Sequence, residues 1–280
     1  MPFGNLIQSA TNQGSGTSLG ATLTNDVQVG SLLIGIVMAY GGSGGITLMM
    51  FEPFTGNIAV DDYNQLGVEE ANYYIRVRSI RDVAQGGTGS VNSTGSVNSR
   101  FACIMEFEGP GSGDAPLMAR NGTWNPTPNT GNITPPANGY LLIGTQMSES
   151  GVGPFAPDPN FAEVHEATAG PIRTFTQYSL QLTAAAVNHS PTGSGTNGSW
   201  EAVILGYAPG VSAGVLVHDR TRFGTDAATP VWDAAQNAQA TIPAGRNVRV
   251  RAGIYSDVSN PDSAHIRLDW RKNGGPWKKA

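Results

Sequence analysis

Carboxylates, histidines and one thiol are among the side chains of this chain that could take part in catalysis. Adjacent acids occur twice, as Asp61-Asp62 and as Glu69-Glu70. A glycosidase needs two carboxyl groups that face each other across a cleft. Neighbouring residues of a strand point to opposite faces, so neither pair forms such a dyad. We expect these four acids to be solvated loop residues.

The metal-ligating and nucleophilic residues show no spacing that predicts a catalytic centre. His165-Glu166 lies beside Glu163, but the four histidines are scattered and no second histidine falls at ligand spacing. Cys103 is the only cysteine, which excludes an internal disulfide and a cysteine zinc site. It lies in an apolar segment, where a thiol is an inert packing group. The sequence therefore predicts a non-enzymatic protein without metal or cofactor.

Two further patterns have a binding interpretation and a structural one. The run Gly41-Gly42-Ser43-Gly44-Gly45 is followed by a strand pattern and lacks the Lys of a phosphate loop, so it predicts a hairpin turn. Aromatic residues offer a surface on which a sugar could stack, although core or interface packing is the usual role of such residues. These residues are Trp124, Trp232, Trp270, Trp277, Tyr63, Tyr73 and Tyr74.

The composition narrows the class of protein. Among 280 residues there are 37 Gly and 18 Pro, which disfavours long helices. A hydrophobic share of 39% is enough for a packed core and argues against disorder. No apolar run reaches the ~20 residues of a membrane span, and the start of the chain does not resemble a signal peptide. The net charge of −5 argues against a general nucleic-acid binder.

Short apolar or alternating runs between turn residues predict an all-β fold. The clearest candidates are 32–38, 73–78, 101–107, 140–144, 175–182, 200–207, 215–217, 248–251 and 266–270. The polar, glycine-rich segment 85–96 predicts a long exposed hairpin loop. Helix candidates are few, and the segment 233–240 is short and lacks a clear apolar stripe.

An internal repeat predicts two related domains. Leu32-Leu33-Ile34-Gly35 recurs as Leu141-Leu142-Ile143-Gly144, and other strand phrases follow in the same order. The alignment pairs Leu33 with Ile143 and Ile104 with Val203 as matching core positions. We therefore predict tandem, jelly-roll-like β-sandwiches at 1–112 and 117–210, followed by a small β module at 211–280.

Charge is distributed unevenly along the chain. Residues 241–280 hold eight Lys and Arg against three Asp, whereas the remaining residues are strongly acidic. In strands, Arg249, Arg251 and Arg267 would form a cationic outer face that meets the acidic body of a neighbouring copy. We predict an interface that consists of Arg249, Arg251, Arg267, Trp124 and Trp277. A nucleic-acid contact is the alternative interpretation of the basic residues.

Two stretches resemble β-sandwich modules of structural proteins from tailed bacteriophages and prophages. They are Gly16–Leu19 with Val29–Val37, and Val248–Arg251 with Ile266–Trp277. The resemblance implies a virion component, either a capsid decoration protein or a tail or baseplate protein, assembled in the host cytoplasm. It implies contacts with copies of the same chain and with other virion proteins, and it supplies no catalytic residues.

Two other functions remain compatible with the sequence. A carbohydrate- or receptor-binding module, with a host glycan as a possible ligand, fits the same scaffold. A sandwich-fold glycan hydrolase or lyase would need a carboxylate or Tyr/His cluster that the sequence does not bring together. A membrane partner is not expected, because no segment is apolar enough.

Overall fold

A computed structural model gives the structure of the protein. It describes residues 3–41, 48–52, 57–66, 72–124, 127–149, 151, 153–181, 183–193, 198–210, 216–225, 248–256, 269–270 and 278–279. The chain divides into two compact units, Met1–Ser212 and Ala213–Ala280. The described residues form strands and no α-helix, which confirms the all-β class. The helix candidate 233–240 lies outside the described residues.

The first unit contains thirteen of the described strands. They are β1 (Leu6–Val27), β2 (Leu32–Tyr40), β3 (Leu48–Glu52), β4 (Val60–Leu66), β5 (Tyr73–Ile80), β6 (Gly87–Phe107), β7 (Leu117–Trp124), β8 (Tyr140–Glu149), β9 (Phe155–Ala156), β10 (Ala162–Ala169), β11 (Ile172–Gln181), β12 (Thr192–Gly193) and β13 (Ser199–Tyr207).

The two halves of this unit have the same strand order, as the repeat predicts. The first sheet has the order β1-β6-β2-β5-β4, and β3 also pairs with β6. The second sheet has the order β7-β13-β8-β11-β10, and all pairs in both sheets are antiparallel. Apart from β3, each strand of the first sheet therefore has an equivalent in the second, with β4 equivalent to β10 and β1 to β7.

The strand register corrects two residue pairs of the sequence alignment. Gly35 pairs with Ile104 in the first sheet, and its repeat equivalent Gly144 pairs with Ile204 in the second. The equivalent of Ile104 is therefore Ile204, and Val203 is one residue away. Likewise, Ile143 corresponds to Ile34 and not to Leu33. A shift of one residue moves a side chain to the opposite face of a sheet, so both predicted pairs were wrong.

The two sheets pack face to face and share one core. Ile34, Ile36 and Met38 of β2 belong to the same buried cluster as Ile143 and Met147 of β8. The repeat predicts a sandwich from each segment, whereas in the structure each segment supplies one sheet of a common sandwich. The reason is that an amphipathic sheet must bury its apolar face, and the equivalent sheet provides a matching surface.

The outer face of each sheet is also covered. On the first sheet, Leu33 and Val37 pack with Leu23 and Val91, which belong to the far ends of β1 and β6. Breaks in the β1–β6 register between Gly14 and Ser18 accompany this arrangement. The prediction of an exposed loop at 85–96 is therefore wrong, because most of it belongs to β6 and Val91 is fully buried. Burial on both faces explains the uninterrupted apolar run of β2.

The second unit contains the remaining described strands. They are β14 (Leu216–Thr225), β15 (Val248–Ser256), β16 (Asp269–Trp270) and β17 (Lys278–Lys279). The strands β14 and β15 form an antiparallel pair, as do β16 and β17. The predicted strand at 248–251 is thus confirmed as the start of β15.

Candidate binding site

The five residues predicted to form an interface lie in different parts of the chain. Arg249 and Arg251 lie on β15, at positions that pair with Gly224 and Arg222 of β14. Trp124 is the last residue of β7. Arg267 and Trp277 lie outside the described residues. The interface, and association of copies through it, therefore stay predictions.

A cleft of about 270 Å³ lies between β4 and β7, which are edge strands of the two sheets. We call it the β4–β7 cleft. The strand β4 contributes five consecutive residues, and β7 contributes two that lie two positions apart. The lining residues are Asp61, Asp62, Tyr63, Asn64, Gln65, Met118 and Arg120.

Three side chains from three strands form a polar group in this cleft. The hydroxyl of Tyr63 on β4 donates to Glu201 Oε1 of β13 at 3.3 Å. Arg120 Nη1 of β7 donates to the Tyr63 hydroxyl at 3.4 Å and to Gln65 Oε1 at 3.4 Å. Burial raises the pKa of Tyr63 to about 12. The tyrosine therefore remains protonated at neutral pH and links a buried carboxylate to an exposed guanidinium.

Asp62 anchors the inner wall of the cleft. Its side chain is fully buried, with Oδ1 at 2.6 Å from Arg81 Nη2. The hydroxyl of Tyr207 donates to Asp62 Oδ2 at 2.9 Å. The pKa of Tyr207 is raised, mainly by burial and also by Asp62. The expectation of a solvated loop acid is wrong for Asp62, because the bulge in the β4–β5 register next to it turns its side chain towards Arg81.

Asp61 lies at the rim of the cleft and keeps 43% of its side chain exposed. Arg76 donates to both of its oxygens, at 3.1 Å each, and Arg78 Nε lies 3.1 Å from Oδ1. Both arginines come from β5, where alternation places them on one face. Asp61 is thus also a strand residue. Glu69-Glu70 lies outside the described residues.

The opposite side of the sandwich contains the equivalent position, formed by β10 and β1. Tyr63 on β4 and His165 on β10 occupy equivalent positions. Each pairs with the equivalent residue of the neighbouring strand, β5 or β11, directly after a bulge. The register also relates Glu201 to Phe101 and Arg120 to Thr11. His165 stacks on Phe101 with ring centroids 4.2 Å apart. Burial lowers the pKa of His165 to about 4, so the ring is neutral near pH 7. This position is therefore filled by stacked rings at the β1–β10 edge of the sandwich and by a polar group at the β4–β7 edge.

The other residues considered as chemical candidates have packing roles. Cys103 lies in the core between the sheets, as predicted, and burial raises the pKa of its thiol to about 12. Glu166 forms a salt bridge with Arg173 at 2.9 Å. Tyr63 and Tyr73 are buried, so their rings offer no face on which a sugar could stack. Among the described residues, no three His, Cys, Asp or Glu side chains are grouped as metal ligands.

Asp61, Asp62 and Tyr63 are recognisable as candidates in the sequence, but their partners are not. Arg120 and Glu201 lie 57 or more residues away in sequence and meet Tyr63 only when the two sheets pack. The repeat does contain a signal that could have found the site. A correct alignment places Tyr63, Glu201 and Arg120 at the positions equivalent to His165, Phe101 and Thr11, where the residue types differ. The alignment was one residue out of register at β13, which hid this contrast.

Comparisons with known proteins give one similarity. No family model matches the chain, and no solved structure is significantly similar to it. Protein ssh4 of the fungus Botryotinia fuckeliana, strain B05.10, is 25% identical over 256 residues. The match covers 80% of this chain and 47% of that protein. The chain thus spans about half the length of the curated relative that it matches.

This similarity corrects the functional interpretation of the sequence. The relative is a fungal protein, which points to a eukaryotic protein, so the interpretation as a phage capsid, tail or baseplate component is wrong. The virion location is overturned by the same finding. The phrases that suggested a phage protein were short strand segments bounded by glycine. Such segments follow from the demands of a β-sandwich and do not specify an origin. In the described part of the chain, no helix has the length and apolar character to cross a membrane.

Proposed function

We propose that the first unit is a non-enzymatic module that binds a polypeptide ligand in the β4–β7 cleft. One observation carries this proposal, the contrast between the two equivalent edges of the sandwich. At the β1–β10 edge, Phe101 and His165 fill the position by ring stacking. At the β4–β7 edge, the same position holds Tyr63, Glu201 and Arg120 beside an open cleft. The fold does not require this polar group, so a binding role explains it.

The state of the polar groups supports binding over catalysis. A general acid or base works best with a pKa near the operating pH. The pKa of Tyr63 is about 12, far above neutrality. Both carboxylates of β4 are engaged by arginines, Asp61 by Arg76 and Arg78 and Asp62 by Arg81. The polar groups of the cleft are therefore suited to holding a ligand in place and not to transferring a proton.

The side chains in and around the cleft favour a polypeptide ligand over a glycan. Sugar-binding sites commonly present the face of an aromatic ring, but Tyr63 and Tyr207 are only 3% and 2% exposed. Met118 offers an apolar contact instead, with 50% of its surface exposed. A mixture of an exposed thioether, an amide and a guanidinium is typical of surfaces that bind polypeptides.

The experiment is a parallel selection with the full chain immobilised. An mRNA-displayed library of random seven-residue peptides and a glycan array are each presented to the wild type, to Arg120→Glu and to Thr11→Glu. Thr11 is the matched control, since it is the exposed equivalent of Arg120 on the other edge. We expect the wild type and Thr11→Glu to enrich one peptide family that Arg120→Glu does not. Binding to glycans alone, or peptide binding unaffected by Arg120→Glu, would contradict the proposal.

A further inference from the structure

Resting on that proposed function, we infer that the ligand is an extended peptide that pairs with the outer edge of β4 and places a carboxylate against Arg120. The backbone of β4 determines the extended conformation of the ligand. The charge distribution of the cleft determines the acidic side chain.

The way in which β4 lines the cleft indicates strand pairing. Successive side chains of a strand point to opposite faces, so a cleft on one face would be lined by alternate residues only. This cleft is lined by the five consecutive residues 61–65, so it runs along the edge of the strand. In the part of the chain that the structure describes, no strand pairs with this edge. Unpaired N–H and C=O groups of an edge strand are a template for an added strand.

The edge is accessible but protected against unspecific pairing. The bulge between Asp61 and Tyr63 interrupts the regular ladder with β5. Bulges and charged side chains are the usual means by which edge strands avoid aggregation. A ligand must therefore match the side chains around the edge as well as its backbone. The side chains of the ligand therefore decide whether it binds.

Arg120 supplies the charge that a ligand must match. Its guanidinium donates to two neutral acceptors, the Tyr63 hydroxyl and the Gln65 amide oxygen. No salt bridge joins Arg120 to a carboxylate among the described residues. Its hydrogen bond with Tyr63 raises the pKa of Arg120, so the group stays charged. Guanidinium groups bind carboxylates in a bidentate fork, which favours Glu or Asp in the ligand.

The surroundings of Arg120 favour one carboxylate over a polyanion. Of the described residues that line the cleft, Arg120 is the one with a positive charge, and Asp61 is already paired with Arg76 and Arg78. A nucleic-acid or sulfated-glycan backbone would leave most of its negative charges without a cationic partner in the cleft. A peptide with one acidic residue and small or apolar neighbours needs only this one partner. Its neighbours can contact Met118, which lies two residues from Arg120 on the same face of β7.

The test uses peptides enriched by the wild type, resynthesised with Glu, Gln or Lys at the acidic position. Affinities for the full chain are measured by isothermal titration calorimetry, and the site is mapped by NMR shifts of residues 61–65. We expect Glu→Gln to weaken binding about tenfold, because a charge-assisted hydrogen bond is lost. N-methylation of alternate backbone amides should weaken it at least as much. Arg120→Glu should reverse the preference, so that the Lys peptide binds better than the Glu peptide, whereas Thr11→Glu should change nothing.

The outcomes separate this inference from the proposed function. Peptides that bind at residues 61–65 without a preference for an acid, or that tolerate N-methylation, overturn the inference and leave the proposed function standing. No peptide binding, or binding elsewhere, overturns both. The comparison of Glu, Gln and Lys peptides needs only the wild-type chain, so the inference remains testable if Arg120→Glu does not fold.

Discussion

Acidification should destabilise the first unit through its fully buried histidine, His189. His189 is fully buried, and its Nε2 lies 2.9 Å from Gln177 Oε1. Its ring packs against the edge of Phe161 and over Gly144. Burial lowers the pKa of His189 to about 4, although the nearby carboxylate of Asp158 acts in the opposite direction.

The sign and size of the effect follow from this pKa. In the unfolded chain the pKa of a histidine is about 6.5, so below that pH the unfolded state binds a proton that the folded state excludes. The stability contributed by neutral His189 is complete above pH 6.5 and is lost as the pH falls towards 4. The difference between the two pKa values corresponds to about 3 kcal/mol in total, of which about 2 kcal/mol is lost between pH 7 and pH 5.

The assay is urea unfolding of the full chain at pH 7, 6 and 5, followed by far-UV circular dichroism. The variant His189→Gln removes the titrating group, so we expect its free energy of unfolding to vary with pH by about 2 kcal/mol less than that of the wild type. The comparison concerns the pH dependence, so a lower baseline stability of the variant does not affect it. Burial also lowers the pKa of His165 to about 4, so His165→Gln should reduce the pH dependence in the same direction. Equal pH dependence in wild type and His189→Gln would refute the reasoning.

Three further predictions concern packing and charge. A Cβ at Gly144 would lie 2.6 Å from His189 Nδ1 and closer still to Cγ, so Gly144→Ala should cost about 1–3 kcal/mol of unfolding free energy. In a double-mutant cycle, His189→Ala should remove most of that cost, and additive effects would contradict it. Ile34→Ala and Leu142→Ala should each cost about 2–5 kcal/mol, because both side chains are fully buried, and unchanged thermal melts would place them at the surface. Asp62→Ala should lower the free energy of unfolding by about 3–5 kcal/mol, since it leaves a buried arginine unpaired. Asp61→Ala, at the exposed rim, should lower it by less than about 1 kcal/mol. Equal losses in the two variants would refute this ranking.

The sequence by itself determined the local structure of this protein. Leu32 to Met38 lies between glycines and is apolar throughout, which specifies a strand buried on both faces. Tyr73 to Arg78 alternates, and the structure has a strand there with alternating burial. The repeated Leu-Leu-Ile-Gly phrase identified two equivalent segments, because the same strand at the centre of each sheet needs the same residues. These features depend on neighbours in sequence and can therefore be found without the fold.

Only the tertiary structure decided how the two segments combine and where the candidate site lies. The pattern of β2 or β8 shows that both faces are buried but does not show what covers them. The covering surface is the other sheet, together with the far ends of β1 and β6 on one side. Likewise, segment 85–96 looks like a loop because its residues are small and polar, and it forms a strand because β1 and β3 pair with it.

The β4–β7 cleft could not be located from the sequence for the same reason. Tyr63, Arg120 and Glu201 are ordinary residues of three strands when the chain is read in order. They meet because two edge strands from different repeats lie side by side after the sheets pack, with the bulge at Asp61–Tyr63 turning Asp62 inwards. Register also decides which equivalent residues are compared, and a one-residue error exchanges the inner and outer faces. Contacts between residues far apart in sequence depend on this packing and register, so only the tertiary structure could determine the site.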